Sequence, residues 1–94
     1  MKGLRVRWRA RALADLQGFH DWLRTIEGAK PDQTIRRIRA AAESMRRLGD
    51  IGRPSTVEGL RELSVRNAPY VVVYRVIDDD AADVLAVYHT AQDR

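Results

Sequence analysis

No cysteine occurs in the chain, and only two histidines, His20 and His89, are present. The first absence excludes disulfides and thiolate metal sites and fits a reducing compartment such as the cytoplasm. The second leaves no metal expected, because the two imidazoles stand in unrelated segments with no zinc-like or calcium-loop spacing around them. No apolar run approaches the ~20 residues that a membrane span requires. The charged segment Met1 to Arg9 has no continuous apolar stretch behind it, so neither a secretory signal nor a membrane partner is expected. Gly49 and Gly52 are isolated and no lysine follows them, which excludes a phosphate-cradling loop. Ser44, Ser55 and Ser64 lack the surroundings of a serine nucleophile. No cofactor is called for.

What is present is charge, unevenly spread. The 94 residues suffice for one domain, 1–94, with a modest core, and the formal net charge is +4. Sixteen lysines and arginines against eight acids lie in residues 1–75, whereas residues 76–94 hold five aspartates and one arginine. A basic body with an acidic hairpin tip suits an anionic partner, either nucleic acid or an acidic protein segment. A solvated arginine-rich surface is the plainer alternative.

The hydrophobic period changes along the chain. Leu4-Arg5-Val6-Arg7-Trp8-Arg9 alternates strictly, which predicts a strand with one arginine-covered face. Leu13, Leu16, Phe19, Leu23 and Ile26 recur at three and four, predicting a helix over Arg11 to Ile26 with Trp22 and His20 beside the stripe. Glu27-Gly28-Ala29-Lys30 breaks it. Pro31 and Asp32 suit a second helical N-terminus, and Ile35, Ile38, Ala42, Met45 and Leu48 form its stripe as far as Gly49. Arg36, Arg39, Glu43 and Arg47 cover its outer face, most simply as a solvated face with i, i+4 pairs.

Asp50 to Glu58 reads as a loop. Leu60 to Arg66, Tyr70 to Ile77 and Val84 to His89 read as strands, the middle one covered on both faces. They are joined by the turn Asn67-Ala68-Pro69 and a polar turn over residues 78–83. The expected fold is therefore α+β in the order β-α-α-β-β-β, an antiparallel sheet packed against an N-terminal helical hairpin.

Arg61, Arg66, Arg75, Tyr70, Tyr74, Tyr88 and His89 all fall on or beside the three C-terminal strands. Alternation sends Tyr70, Val72, Tyr74 and Val76 to one face and Val71, Val73, Arg75 and Ile77 to the other, and it separates Tyr88 from His89. Guanidinium forks and one imidazole could hold and cleave a phosphodiester without a metal. Equally, the tyrosines could be core, Arg61 and Arg75 the partners of nearby acids, and His89 a polar strand end. The aspartates at 78–80 most simply keep the hairpin tip soluble.

Four segments in order carry a family resemblance. They are Trp8 with Ala12-Leu13-Ala14-Asp15-Leu16; Gly59-Leu60-Arg61-Glu62-Leu63; Pro69-Tyr70-Val71-Val72-Val73-Tyr74-Arg75-Val76; and Val84-Leu85-Ala86-Val87-Tyr88-His89. Together they resemble the ParE/RelE superfamily of type II toxin–antitoxin toxins over nearly the whole chain. The resemblance implies a small α+β toxin neutralised by a cognate antitoxin with which it forms a hetero-oligomer. RelE-like members of the superfamily cut messenger RNA on the ribosome, and ParE-like members act on DNA gyrase without being nucleases.

Val71 stands where RelE-like enzymes usually carry an arginine, and no tyrosine follows His89 in Thr90-Ala91-Gln92-Asp93-Arg94. The chain therefore reads as ParE-like, a gyrase inhibitor with no catalytic residues, whose target contacts are expected at Tyr88, His89 and Arg94. The alternative is a metal-independent endoribonuclease acting on ribosome and mRNA through His89, Arg61 and Arg66. A non-toxic interaction module on the same fold is the third reading. Antitoxin binding is expected at Arg5, Arg7, Arg9, Arg36 and Arg39, where an acidic–apolar segment could fold across the helical hairpin and the sheet edge.

Overall fold

The computed structural model describes residues 2–91. Its elements are β1 (Arg5–Trp8), α1 (Ala10–Leu23), α2 (Pro31–Glu43), α3 (Met45–Leu48), β2 (Arg53–Pro54), β3 (Arg61–Ser64), β4 (Tyr70–Ile77) and β5 (Ala81–His89). The strands form a single sheet in the order β1-β5-β4-β3-β2. All pairs are antiparallel except β1 with β5, which is parallel. The α+β class and the helical hairpin against the sheet are as expected from the hydrophobic periods.

Both long helices lie on one face of the sheet, α1 over β5 and α2 over β3 and β4. Between them and the sheet, Leu16, Ile38, Ala42, Met45, Tyr70, Val72, Tyr74 and Val84 form the buried core. The residues that alternation sends inward from β4 are the ones the helices cover. The outer face carries no helix, and Arg75 on it is exposed. Outward-facing Val71 is buried and Val73 and Ile77 are half-buried, so full cover of β4 on both sides is corrected to full cover on the helix side and partial cover on the other.

Several boundaries move for local reasons. α1 ends at Leu23, and Thr25 Oγ1 hydrogen-bonds the Trp22 carbonyl at 2.6 Å, so Ile26 falls beyond the helix and is exposed along with Leu13. The expected second helix divides at Ser44, whose hydroxyl donates to the Ala41 carbonyl at 2.6 Å, before a last turn ends at Gly49 in the left-handed region. The loop after Asp50 contains the two-residue edge strand β2. The polar turn shrinks to Asp78–Asp80, with Asp78 and Asp79 at positive φ, because Ala81, Ala82 and Asp83 are needed opposite β1 and β4.

Parallel pairing of β1 with β5 has an electrostatic result. It brings the arginines of β1 beside the acidic turn, so charges segregated in the sequence meet in space. Arg5 pairs with Asp80 at 2.9 Å and Arg7 with Asp83 at 2.6 Å. The outer edge of β1 is held by α3: the Leu4 amide donates to the Met45 carbonyl at 2.9 Å, and Arg46 Nη2 donates to the Val6 carbonyl at 3.1 Å. These bonds occupy backbone groups that would otherwise make an exposed strand edge.

Candidate functional site

Arg61 leaves β3 beside Tyr74 of β4 and turns toward the segment after α3. Its Nε donates to Asp50 Oδ1 at 2.6 Å and its Nη2 to the Gly52 carbonyl at 2.6 Å. The Tyr74 hydroxyl donates to the same Asp50 oxygen at 2.5 Å and accepts the Gly52 amide at 2.8 Å. Tyr74 is 0% exposed, and burial together with the Asp50 carboxylate holds its phenol above the ordinary tyrosine value, hence neutral. The Arg61 guanidinium is held above its ordinary value, first by its hydrogen bond with Tyr74 and then by Asp50, with partial burial opposing them. A Cβ at Gly52 would lie 2.5 Å from the Tyr74 oxygen and 2.6 Å from the Glu62 carbonyl, so only glycine fits. The motif arginine is therefore engaged in fixing a loop.

His89 sits at the other end of the sheet. It pairs with Tyr70 across β4 and β5, and their rings meet edge to face at 5.1 Å. Trp22 meets the imidazole at 5.8 Å and Phe19 meets Tyr70 at 5.1 Å, both also edge to face. His89 Nδ1 accepts the Ala91 amide at 3.1 Å, which places the proton of the neutral ring on Nε2. Four residues along β4 separate the partners of His89 and Arg61, about 13 Å, and the two lie on opposite flanks of that strand, about 10 Å apart across the sheet. The structure does not bring them together. Arg66 is exposed in the turn after β3, at the same end as His89, where the Thr90 amide bonds the Pro69 carbonyl at 2.8 Å.

The five arginines expected to meet an antitoxin divide into groups. Arg5 and Arg7 hold Asp80 and Asp83. The Asp83 side chain is 7% exposed, and its carboxyl is held below the usual carboxylate range, first by the Arg7 hydrogen bond and further by the nearby charges of Arg9 and Arg75. Arg39 stacks over the Trp8 ring at 5.2 Å. Glu43 accepts from Trp8 Nε1 at 2.8 Å and from Arg46, so it pairs at i, i+3 rather than with Arg39 or Arg47 at i, i+4. Burial opposes the ionisation of Glu43, but those two hydrogen bonds outweigh it and its carboxyl stays below the ordinary range. Arg36 is exposed on α2 near Asp32, which is held to His20 at 2.7 Å.

Tyr88 and His89 face opposite sides of β5, and each borders a different hollow. On the helix side, Ala14, Gly18, Phe19, Trp22 and His89 line an apolar cleft of about 530 Å³ between α1 and the end of β5. Asp15 closes its floor by accepting the Val87 amide at 2.9 Å, on the stretch of β5 edge that β1 is too short to cover. On the outer side, Tyr88 joins Val73, Glu62, Arg53, Leu60 and Arg11 around a hollow of about 1240 Å³. Arg94, the third expected target contact, lies outside the described residues. Asp50 stands in no motif, and Asp15, although within the resembling segment Ala12 to Leu16, had no sign of its bond to the β5 edge in the sequence. Trp22 stands in the sequence only beside the α1 stripe, and its exposure and its contact with His89 depend on packing between distant segments. Among the described residues no cluster of three or more potential ligands is placed to hold a metal ion, and no helix is long and apolar enough to cross a membrane.

Two helices laid over one face of a five-stranded sheet, with β1 entering parallel beside β5, make an α+β fold that solved structures share. The chromosomal ParDE toxin–antitoxin system from P. aeruginosa contains a chain of this fold, with a TM-score of 0.81 at 24% identity over 92% of this chain and 95% of that one. The description "ParE toxin of type II toxin-antitoxin system, parDE" fits residues 6–94, so the chain belongs to the ParE toxin family. It is 28% identical to the putative toxin Y4kP of Sinorhizobium fredii over 92 residues, 98% of this chain and 94% of that protein. It is also 33% identical to the toxin RelE2 of Caulobacter vibrioides over 87 residues, 93% of this chain and 96% of that protein.

Proposed function

We propose that this chain is the toxin of a toxin–antitoxin pair, that it inhibits DNA gyrase by binding, and that it is not itself a nuclease. The observation that carries the choice of target is the separation of Arg61 from His89. Metal-independent RNA cleavage needs a proton-transfer group and a charge-stabilising group within reach of one phosphate. Here Arg61 is committed to Asp50 and Gly52, and His89 is packed against Tyr70 and Trp22 at the far end of the sheet. The endoribonuclease reading keeps one supporting feature, the shared position of Arg66 and His89 at one sheet end, with Arg61 left out.

The antitoxin is proposed to lay an acidic–apolar segment on the helical hairpin. Exposed Leu13 and Trp22 offer apolar contacts there, with Arg36 and Arg39 on the adjoining helix as charge partners. Gyrase supercoiling assays with the purified chain test the target. Inhibition with accumulation of cleaved DNA supports the reading. Full gyrase activity alongside cut messenger RNA in a reconstituted translation reaction replaces it with the nuclease.

A further inference from the structure

The face of the sheet away from the helices has an uncompensated charge at Arg75 and at Arg9, the latter also one of the expected antitoxin contacts. Arg7, Asp83 and Arg75 lie side by side across β1, β5 and β4. Asp83 is nearly buried and is already hydrogen-bonded by Arg7 at 2.6 Å. Arg9 and Arg75 also act on this single carboxylate by charge alone, and both are exposed with no guanidinium hydrogen bond or ion pair among the described residues. One carboxylate thus stands among three guanidinium groups, and two of these have spare donors. One outward-facing position along β4 from Arg75 is Val73, on the floor of the outer hollow, and across that floor stands Tyr88. The hollow's wall includes Leu60 and Val57, the latter 57% exposed.

We propose that this outer face is the surface that meets the toxin's target. It would take an acidic protein segment whose carboxylate is held by Arg9 and Arg75 and whose apolar side chain rests on Val57 and Tyr88. The proposal rests on the reading of the chain as a toxin that acts by binding a protein. It also divides the two expected target contacts, because Tyr88 lies on the outer face whereas His89 belongs to the cleft under α1. The target and the antitoxin would therefore meet opposite faces of β5. A protein segment fits better than a nucleic-acid strand. A continuous phosphate backbone would leave the apolar wall at Val57 and Leu60 without a partner, whereas one carboxylate beside an apolar group uses both that wall and the spare guanidinium groups.

The experiment compares wild type, the Arg9→Gln/Arg75→Gln double variant and a Val57→Asp variant, with circular dichroism to confirm folding. Purified gyrase, purified ribosomes and the antitoxin from the same operon serve as probes, each at low and high ionic strength. For the gyrase complex, the double variant is expected to weaken binding at least about tenfold and to flatten its salt dependence. Val57→Asp should also weaken it while antitoxin affinity stays within about twofold, and in the double variant antitoxin affinity should fall by much less than gyrase affinity. Unchanged gyrase binding by both variants, or an equal loss of antitoxin binding, overturns the proposal. A wild-type chain that binds ribosomes but not gyrase refutes the gyrase reading alone, and the variant ratios on ribosomes then decide the outer face. If ribosomal RNA stripped of protein competes fully for that binding, the acidic protein segment is the wrong occupant.

Discussion

A buried tyrosine of β4 stands at each end of the sheet, Tyr74 at one and Tyr70 at the other, and the surroundings of the two have opposite characters. At the Arg61 end, an arginine, a tyrosine and an aspartate close on one another around Gly52, and Tyr74 is sealed from solvent. At the His89 end, the aromatic groups touch edge to face but leave hollows on both sides of β5, and Trp22 remains 47% exposed. The closed end can stabilise but has little left to offer a partner. The open end can bind, yet it lacks the arginine that phosphodiester chemistry would recruit from the closed one. Residue type alone does not distinguish a structural arginine from a functional one; what it is already bonded to does.

The largest expected effects come from breaking the closed end. Tyr74→Ala should cost about 3–5 kcal/mol in urea denaturation, by removing a fully buried aromatic. Tyr74→Phe isolates the hydroxyl and should cost about 1–3 kcal/mol, since the Gly52 amide and Asp50 both lose a partner. Arg61→Ala should cost about 1 kcal/mol, less because the 36% exposed Asp50 side chain can rehydrate. Arg61→Lys should recover little, because one ammonium cannot span Asp50 and the Gly52 carbonyl as the fork does. Growth inhibition by these variants should fall only as far as their folded fraction falls. A stable Arg61 variant that loses all toxicity contradicts the structural assignment.

A smaller effect is expected at the acidic turn. The Asp83 carboxyl has a folded value below its unfolded one, so the stability it contributes is present above about pH 4 and is lost as pH falls through the depressed folded value. Asp83→Asn should therefore destabilise by about 1 kcal/mol at neutral pH, discounted for the half-exposed Arg7, and should remove part of the loss seen on acidification. Equal acid sensitivity in the variant and the wild type removes Asp83 from that account.

The smallest effect is the most informative about function. His89→Ala should lower target inhibition by less than about tenfold, whereas a proton-transfer role predicts a loss of roughly 10²–10⁴-fold. Antitoxin affinity should fall further on Arg36→Glu/Arg39→Glu than on His89→Ala, and the salt dependence of that affinity should flatten with it. No change in either quantity takes the helical hairpin out of the antitoxin's path.

Much of the fold was legible in the sequence because period follows burial. Leu4-Arg5-Val6-Arg7 could only be a half-buried strand, and the stripe through Ile38, Ala42 and Met45 could only be a covered helix. The division of Tyr88 from His89 followed from strand alternation alone. The parallel entry of β1 beside β5 was not legible, since strand order depends on contacts distant in sequence. The pairing of Arg5 and Arg7 with the acidic turn followed from that order, so a charge asymmetry of the chain became a set of local ion pairs. Pairing of Arg61 with a nearby acid was one of the readings open in the sequence, but which acid was hidden. The partners of Arg61 are a lone aspartate and a carbonyl in a segment with no period, and nothing in residues 50–52 announces a binding partner.

The most direct test of the gyrase reading is pulse-labelling of new DNA and new protein within minutes of inducing this chain alone in a bacterial host. The account predicts that DNA synthesis stops first while translation continues, and that His89→Ala leaves this order unchanged. Protein synthesis stopping first, with the effect abolished by His89→Ala, would contradict it.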